Sequence, residues 1–160
     1  MTTETLAAAL EREHHDIDDG IASFLAGGQD DSLDRAVPAL RRHIYLEEEF
    51  LFPPLRDAGM FAPIFVMVRE HGEIWDTLDG IEAELSAGAA RRSVAEICRT
   101  LLEQLERHNS KEEPILYPQA DSVLTAAATA SLKAFIAAGR LPEGWTCAQA
   151  GAAVASREWS

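Results

Sequence analysis

One short spacing, a histidine followed four residues later by a glutamate, occurs twice in this sequence and suits metal chemistry. The two copies are His43 with Glu47 and His108 with Glu112. Side chains four residues apart share a face of an α-helix, so each pair presents an imidazole and a carboxylate in one direction. Such donors, with no thiolate among them, suit iron, manganese or zinc. The spacing therefore predicts a metal site.

Two further histidines lie on apolar helical stripes. His14 falls on the stripe from Leu6 to Leu25. His71 falls on the stripe from Ile64 to Leu85. One histidine on an apolar stripe is more often a hydrogen-bonded core residue than a metal ligand. Here every histidine except His15 can occupy such a position, and two glutamates buried among them would need a compensating cation. Four imidazoles and two carboxylates are enough for two metal ions that share bridging carboxylates.

The other side chains near these motifs have simpler expected roles. The acidic neighbours point about 100° or more away from the inward glutamates, so we expect a solvated face for Glu48, Glu49, Glu70, Glu73 and Glu113. Cys98 is expected to be a small buried hydrophobe, and Trp75 and Phe65 are expected to be packing residues.

Four helices must position the candidate ligands, and start and stop signals define them. The first is predicted from about Thr3 to Ala26, before Gly27-Gly28. The second starts at a cap on Asp31 or Ser32 and ends at Pro53-Pro54. The third runs from near Pro63 to Gly88. The fourth begins at a Ser93 cap, carries an inward stripe from Val94 to Ile115, and ends at Pro114 and Pro118.

Short connections between these helices predict an all-α, up-down-up-down four-helix bundle over residues 1–120. Residues 121–160 are predicted to form a short helical C-terminal extension packed on the same domain. It contains a helix from about Ser122 to Ala138, then a turn and a short alanine-rich helix, and no chemistry can be assigned to it.

The amino-acid composition indicates which classes of binding partner to expect and which cellular compartment. The formal charge is -13, from 27 acidic and 14 basic residues, so neither nucleic acid nor a membrane surface is expected to bind. The N-terminus has no basic leader, and its longest apolar run is Leu6 to Leu10. Cys98 and Cys147 form no Cys-x-x-Cys pair. A cytoplasmic protein with reduced thiols is the expectation.

The two halves of the ligand pattern repeat each other closely. Each His-x-x-x-Glu-Glu motif leads to a proline stop, as Leu51-Phe52-Pro53 and Leu116-Tyr117-Pro118. Each is preceded by a Glu-His-x-x-Ile helix, as Glu13-His14-His15-Asp16-Ile17 and Glu70-His71-Gly72-Glu73-Ile74. This pattern over residues 14 to 118 resembles the hemerythrin, or HHE cation-binding, family. The repeat also selects His14 over His15.

The resemblance implies a carboxylate-bridged pair of non-heme iron ions. His14 and His43 would bind one iron, His71 and His108 the other, and Glu47 and Glu112 would bridge them. Oxygen-carrying hemerythrins have a further histidine one turn before the position of His71, where this chain has Met67. Reversible oxygen transport is therefore not expected, because an exchangeable position is left at that iron.

Two rival sites fit the sequence less well. A ferritin-like site uses Glu-x-x-His on two helices, and only Glu11 to His14 has that spacing. A single zinc ion needs fewer ligands, and no His-Glu-x-x-His motif occurs.

Three functions stay open at this point. The first is a module that binds or senses oxygen, peroxide or nitric oxide, or sequesters iron. The second is a catalase-like enzyme that decomposes peroxide. The third is a purely structural metal site. The oligomeric state cannot be predicted.

Overall fold

The computed structural model describes residues 4–28 and 31–152, and every regular element in these ranges is helical. The α-helices are α1 (Leu6–Leu25), α2 (Asp31–Leu46), α3 (Phe52–Asp57), α4 (Phe61–Ser86), α5 (Arg91–Lys111), α6 (Tyr117–Val123) and α7 (Ala126–Ala138). Two π-helical turns interrupt the series, the first over Glu47–Leu51 and the second over Glu112–Leu116. Among the described residues, no helix is long and apolar enough to cross a membrane.

The four long helices pack as a bundle. Helix α1 packs against α2 and α5, and α4 packs against α5 and α2. Two apolar clusters fill the interior, and the histidines lie between them. The first cluster contains Ile17, Leu40, Ile74 and Leu105, and the second contains Leu10, Leu46, Met67 and Leu116. The predicted helical bundle is confirmed. The up-down-up-down order stays a prediction, which is supported by the contact of each long helix with the next one along the chain.

The predicted helix ends at the prolines are wrong. The chain continues from α2 through the first π turn into α3, and from α5 through the second π turn into α6. The Phe52 N–H donates to the Glu47 carbonyl, and the Tyr117 N–H donates to that of Glu112, five residues back in each case. Pro53 and Pro118 then lie in the first turn of the next α-helix, where a missing N–H costs little.

Several other boundaries differ from the predictions because a different residue supplies the cap. Thr5 caps α1, accepting from the Ala8 N–H, and Thr125 caps α7, accepting from the Ala128 N–H. The helix predicted from about Ser122 to Ala138 is therefore two helices: Ser122 lies near the end of α6, and α7 begins at Ala126. Ser93 lies inside α5 instead of capping it. The predicted stops at Gly27 and Gly88 are confirmed as left-handed residues, with φ of 93° and 67°. Thr3 lies outside the described residues.

The C-terminal segment, residues 140–152, contacts the first π turn and α4, and its backbone is irregular up to Gly151. Cys147 is buried with the first apolar cluster, and Trp145 packs at its edge. Most of the predicted alanine-rich helix lies outside the described residues. The division at residue 120 stays a prediction, although Leu132 and Phe135 of α7 join the second apolar cluster.

Packing predictions for single side chains were partly correct. Cys98 is fully buried and Trp75 nearly so. Phe65 is 69% exposed, so its predicted packing role is wrong. Ile115 is also exposed, because the second π turn rotates the chain and places Leu116 inward instead.

Candidate metal centre

All six predicted ligand side chains converge in the middle of the bundle. Each has at most 4% of its surface exposed: His14, His43, Glu47, His71, His108 and Glu112. They form two groups, and within each group one ligand atom per residue lies within 4.8 Å of the others. His14 and His43 belong to one group, His71 and His108 to the other, and Glu47 and Glu112 to both. His15 is exposed on the outside of α1.

The Nε2 atoms of the histidines face the two shared carboxylates. His71 Nε2 lies 3.1 Å from Glu47 Oε1, and His108 Nε2 lies 3.1 Å from Glu112 Oε2. His14 Nε2 lies 3.0 Å from Glu112 Oε1. His43 Nε2 lies 3.5 Å from Glu47 Oε1. Cations placed among these atoms would meet both donor types.

Three of the imidazoles contact a second carboxylate through Nδ1, on the side of the ring away from the shared glutamates. Glu13 lies 2.9 Å from His43 Nδ1, Glu48 lies 2.7 Å from His71 Nδ1, and Glu70 lies 3.0 Å from His108 Nδ1. A carboxylate at Nδ1 keeps the proton on that nitrogen and leaves the Nε2 lone pair for a metal.

The expected solvated roles of Glu48 and Glu70 are therefore wrong. Their side chains are 7% and 14% exposed, because each turns back to reach a histidine of another helix. Glu113 is the fourth member of the pattern, but its carboxylate lies 3.7 Å from His14 Nδ1, beyond hydrogen-bond distance. Glu49 and Glu73 are exposed as predicted.

Tyr117 is a site residue that the sequence interpretation missed. Its hydroxyl oxygen lies 2.6 Å from His14 Nε2 and 3.0 Å from His43 Nε2. It donates toward Glu112 Oε1 at 2.8 Å and lies 3.0 Å from Glu47 Oε2. Five residues along an α-helix turn a side chain about 140° away from the starting one, so α-helical periodicity placed Tyr117 elsewhere. The second π turn brings it inward.

The internal repeat is broken at this position. Phe52 occupies the place in the first half that Tyr117 occupies in the second, and its ring stacks on His71 with centroids 5.4 Å apart. The His71 and His108 group therefore has no phenol. Met67, one turn before His71, is 1% exposed and belongs to the second apolar cluster, as expected for a packing residue.

Burial and mutual charge shift the ionisation of the site in the metal-free state. Burial and the neighbouring Glu112 raise the pKa of Glu47 well above its usual value. Burial lowers the pKa of His43 and of His71. Burial alone would lower the pKa of His108 too, but Glu112 and Glu70 outweigh it and raise that pKa to about 9. Protons therefore partly balance the buried carboxylates when no cation does.

A small cavity lies beside these groups. Its volume is about 10 Å³, and all four candidate ligand histidines line it, together with Asp18 and Asn109. That space holds about one water-sized molecule.

The bundle, the six converging side chains and their outer carboxylates define a helical protein with an imidazole and carboxylate site that could hold metal. The family model for the hemerythrin HHE cation binding domain matches residues 5–120. The chain therefore belongs to the hemerythrin HHE family. Comparisons with curated proteins and with solved structures give no match.

Proposed function

We propose that this protein is a non-heme di-iron protein that binds or senses a small ligand, namely oxygen, peroxide or nitric oxide. His14 and His43 would hold one iron, His71 and His108 the other, and Glu47 and Glu112 would bridge them. The observation that carries the proposal is the sharing of both carboxylates by two four-residue groups. Two isolated sites would not need common ligands.

The donor set supports iron. Imidazole and carboxylate donors suit divalent and trivalent iron, and neither cysteine is among the grouped residues. Two buried carboxylates side by side are costly without a cation, so a pair of metal ions fits the site. Bound iron would supply electron transfer to a small oxygen or nitrogen ligand. Cys98 and Cys147 are both unpaired and buried, which supports the reducing cytoplasm as the compartment.

Tyr117 would be a seventh protein donor, to the iron held by His14 and His43. Burial and the two carboxylates raise the pKa of its hydroxyl well above 10, so only a nearby cation would make it a phenolate. The iron held by His71 and His108 would have no such ligand, with Phe52 and Met67 around it. With fewer protein donors around it, that iron would be the one to bind an exogenous ligand.

Peroxide decomposition is the second candidate function. An iron with an open position beside a second iron is sufficient for two-electron chemistry on peroxide. The observation that favours it is a pair of unpaired hydrogen-bond acceptors beside the cavity, Asp18 Oδ1 and Asn109 Oδ1.

Elemental analysis of protein expressed in iron-replete medium tests the proposal. We expect about two irons per chain. His43→Ala and His108→Ala should each lose most of the iron, since each removes a ligand and leaves a gap in the buried site. His15→Ala, next to His14 but exposed, is the matched control and should keep wild-type iron content. Stoichiometric zinc with negligible iron in the wild type would disprove the di-iron proposal.

A further inference from the structure

Asp18 and Asn109 separate the interior cavity from a groove on the surface. Both residues line the cavity that the four histidines enclose. Both also line the groove between α1 and α5, where His15, Asp19, Glu106 and Glu113 surround them. They are the two residues common to the cavity and the groove. The cavity and the groove therefore adjoin each other at these two side chains.

Each of the two residues presents an unsatisfied hydrogen-bond acceptor there. Asp18 Oδ1 and Asn109 Oδ1 are inaccessible to solvent, and neither has a hydrogen-bond partner among the described residues. Asn109 as a whole is 7% exposed. Buried acceptors are normally paired, because an unpaired one loses its hydration without replacement. Two such oxygens beside one cavity suit a small molecule that donates hydrogen bonds.

The candidate ligands of the proposed function differ in this property. Hydrogen peroxide carries two O–H donors and no charge. Oxygen and nitric oxide carry no donor. Anions would meet the Asp18 carboxylate and the acidic groups around it, within a chain of formal charge -13. The two oxygens therefore favour a neutral donor over the other small molecules.

We propose that Asp18 and Asn109 form a selective gateway that admits hydrogen peroxide to the metal centre by accepting its two O–H hydrogen bonds. The inference rests on the proposed function and names the substrate class of the same site. Water would occupy the gateway at rest and be displaced by peroxide. Neither residue is a candidate metal ligand, so both would act by orienting peroxide on its way to the metal centre.

Stopped-flow rates of the di-ferrous protein with peroxide and with nitric oxide test the gateway. In Asp18→Leu and Asn109→Leu we expect the peroxide rate to fall about tenfold, the effect of one lost hydrogen bond, and the nitric oxide rate to stay within about twofold. Asp18→Asn keeps an acceptor at Oδ1 and should keep most of the peroxide rate. Asp19→Leu is the matched control, because Asp19 lines the groove but not the cavity.

Thermal unfolding of the metal-free protein separates the gateway from a structural role. Asp18→Leu replaces a buried acceptor that has no partner in the described part of the chain with an apolar group, so the midpoint should stay unchanged or rise by a few degrees, roughly the effect of a small stabilisation. A structural role would lower the midpoint. Iron content should match the wild type.

The outcomes distinguish the two proposals. Equal losses of both rates, or an unchanged ratio of the peroxide rate to the nitric oxide rate in iron-loaded Asp18→Leu and Asn109→Leu, would overturn the gateway alone. A wild-type protein that binds no iron would overturn the proposed function and the gateway with it.

Discussion

At the scale of single residues, Tyr117 makes the two halves of the centre unequal. Its hydroxyl contacts candidate ligand atoms of His14, His43, Glu47 and Glu112, whereas Phe52 contacts His71 only with its ring face. Two irons with different ligand sets would differ in redox potential and in open positions. Within the proposed function, this asymmetry would give the two metals different roles.

Replacing Tyr117 by phenylalanine should remove the visible charge-transfer absorption that an iron-bound phenolate gives. We expect Tyr117→Phe to keep most of its iron, since His14, His43 and both carboxylates remain. Absorption spectra and iron content of the ferric protein measure both effects. Tyr45→Phe is the matched control, because Tyr45 is the other tyrosine of the chain and packs against Phe50 and Phe135. An identical spectrum in Tyr117→Phe would contradict phenolate ligation.

The convergence of the candidate ligands could be predicted from the sequence, but their surroundings could not. Apolar periodicity distinguishes inside from outside, and the internal repeat selects His14 over His15. Neither signal shows that an acidic residue beside a motif turns back to an imidazole on another helix, as Glu48 and Glu70 do. Such contacts depend on helix packing, which a single helical wheel does not contain.

At the scale of elements, the C-terminal segment positions part of the centre. The Ala148 N–H donates to Glu48 Oε1 at 2.9 Å, and the other oxygen of Glu48 contacts His71 Nδ1. The Gly151 N–H donates to Asp76 Oδ1 at 2.9 Å, which fixes the segment farther along α4. The segment lies outside residues 5–120, which the family model matches. It contacts a candidate ligand, His71, through the carboxylate of Glu48.

Gly72 permits this contact, so Gly72→Ala should displace the segment. A Cβ at position 72 would lie 2.5 Å from the Gln149 carbonyl oxygen. We expect the free energy of unfolding to fall by about 1–3 kcal/mol, a usual cost of overpacking. Trypsin should also cleave faster at the exposed Arg140.

Gly80→Ala is the matched control in the same helix, because its Cβ would meet no atom within 4 Å. Higher helix propensity should stabilise it by up to about 1 kcal/mol. Denaturant unfolding and limited proteolysis of both variants measure these effects. Equal unfolding free energies and equal cleavage rates of the two variants would show that residues 140–152 do not pack against Gly72.

The π turns explain why helix ends were predicted less well than helices. Proline after each His-x-x-x-Glu motif usually ends a helix, and α-helical periodicity has no place for one extra residue in a turn. The fold class follows from patterns that repeat over many residues. The turns depend on a local hydrogen-bond shift at Glu47 and Glu112, which no repeated pattern reports.

At the scale of the whole molecule, the buried centre should make stability depend on pH and on metal. The pKa of His108 is raised to about 9 in the metal-free fold, above its usual 6.5. A raised pKa contributes stability that is complete below about pH 6.5 and is lost as the pH rises through about 9. The raised pKa of Glu47 acts in the same direction.

Metal-free protein should therefore unfold more easily at pH 9 than at pH 6.5, by as much as about 3 kcal/mol. Bound metal needs deprotonated ligands, so the iron-loaded protein should lose less stability over this range. Thermal unfolding at both pH values, with and without iron, measures the difference. The exposed His15 serves as control, because His15→Gln should change none of the four midpoints. Metal-free protein that gains stability up to pH 9 would contradict the assignment.

Each π turn also makes the candidate metal centre sensitive to the loss of a single residue from the helix that contains the turn. Loops usually tolerate the loss of one residue. Loss of one residue between Glu112 and Tyr117 would restore a plain α-helix and rotate α6 by about 100°. Asp121 would then leave the N-terminus of α1, where it accepts from the N–H groups of Leu6 and Ala7 at 2.9 and 3.2 Å. Deleting one codon there would turn Tyr117 away from the site and remove the Asp121 contacts from the N-terminus of α1. Insertions and deletions during evolution should therefore be confined to the loops.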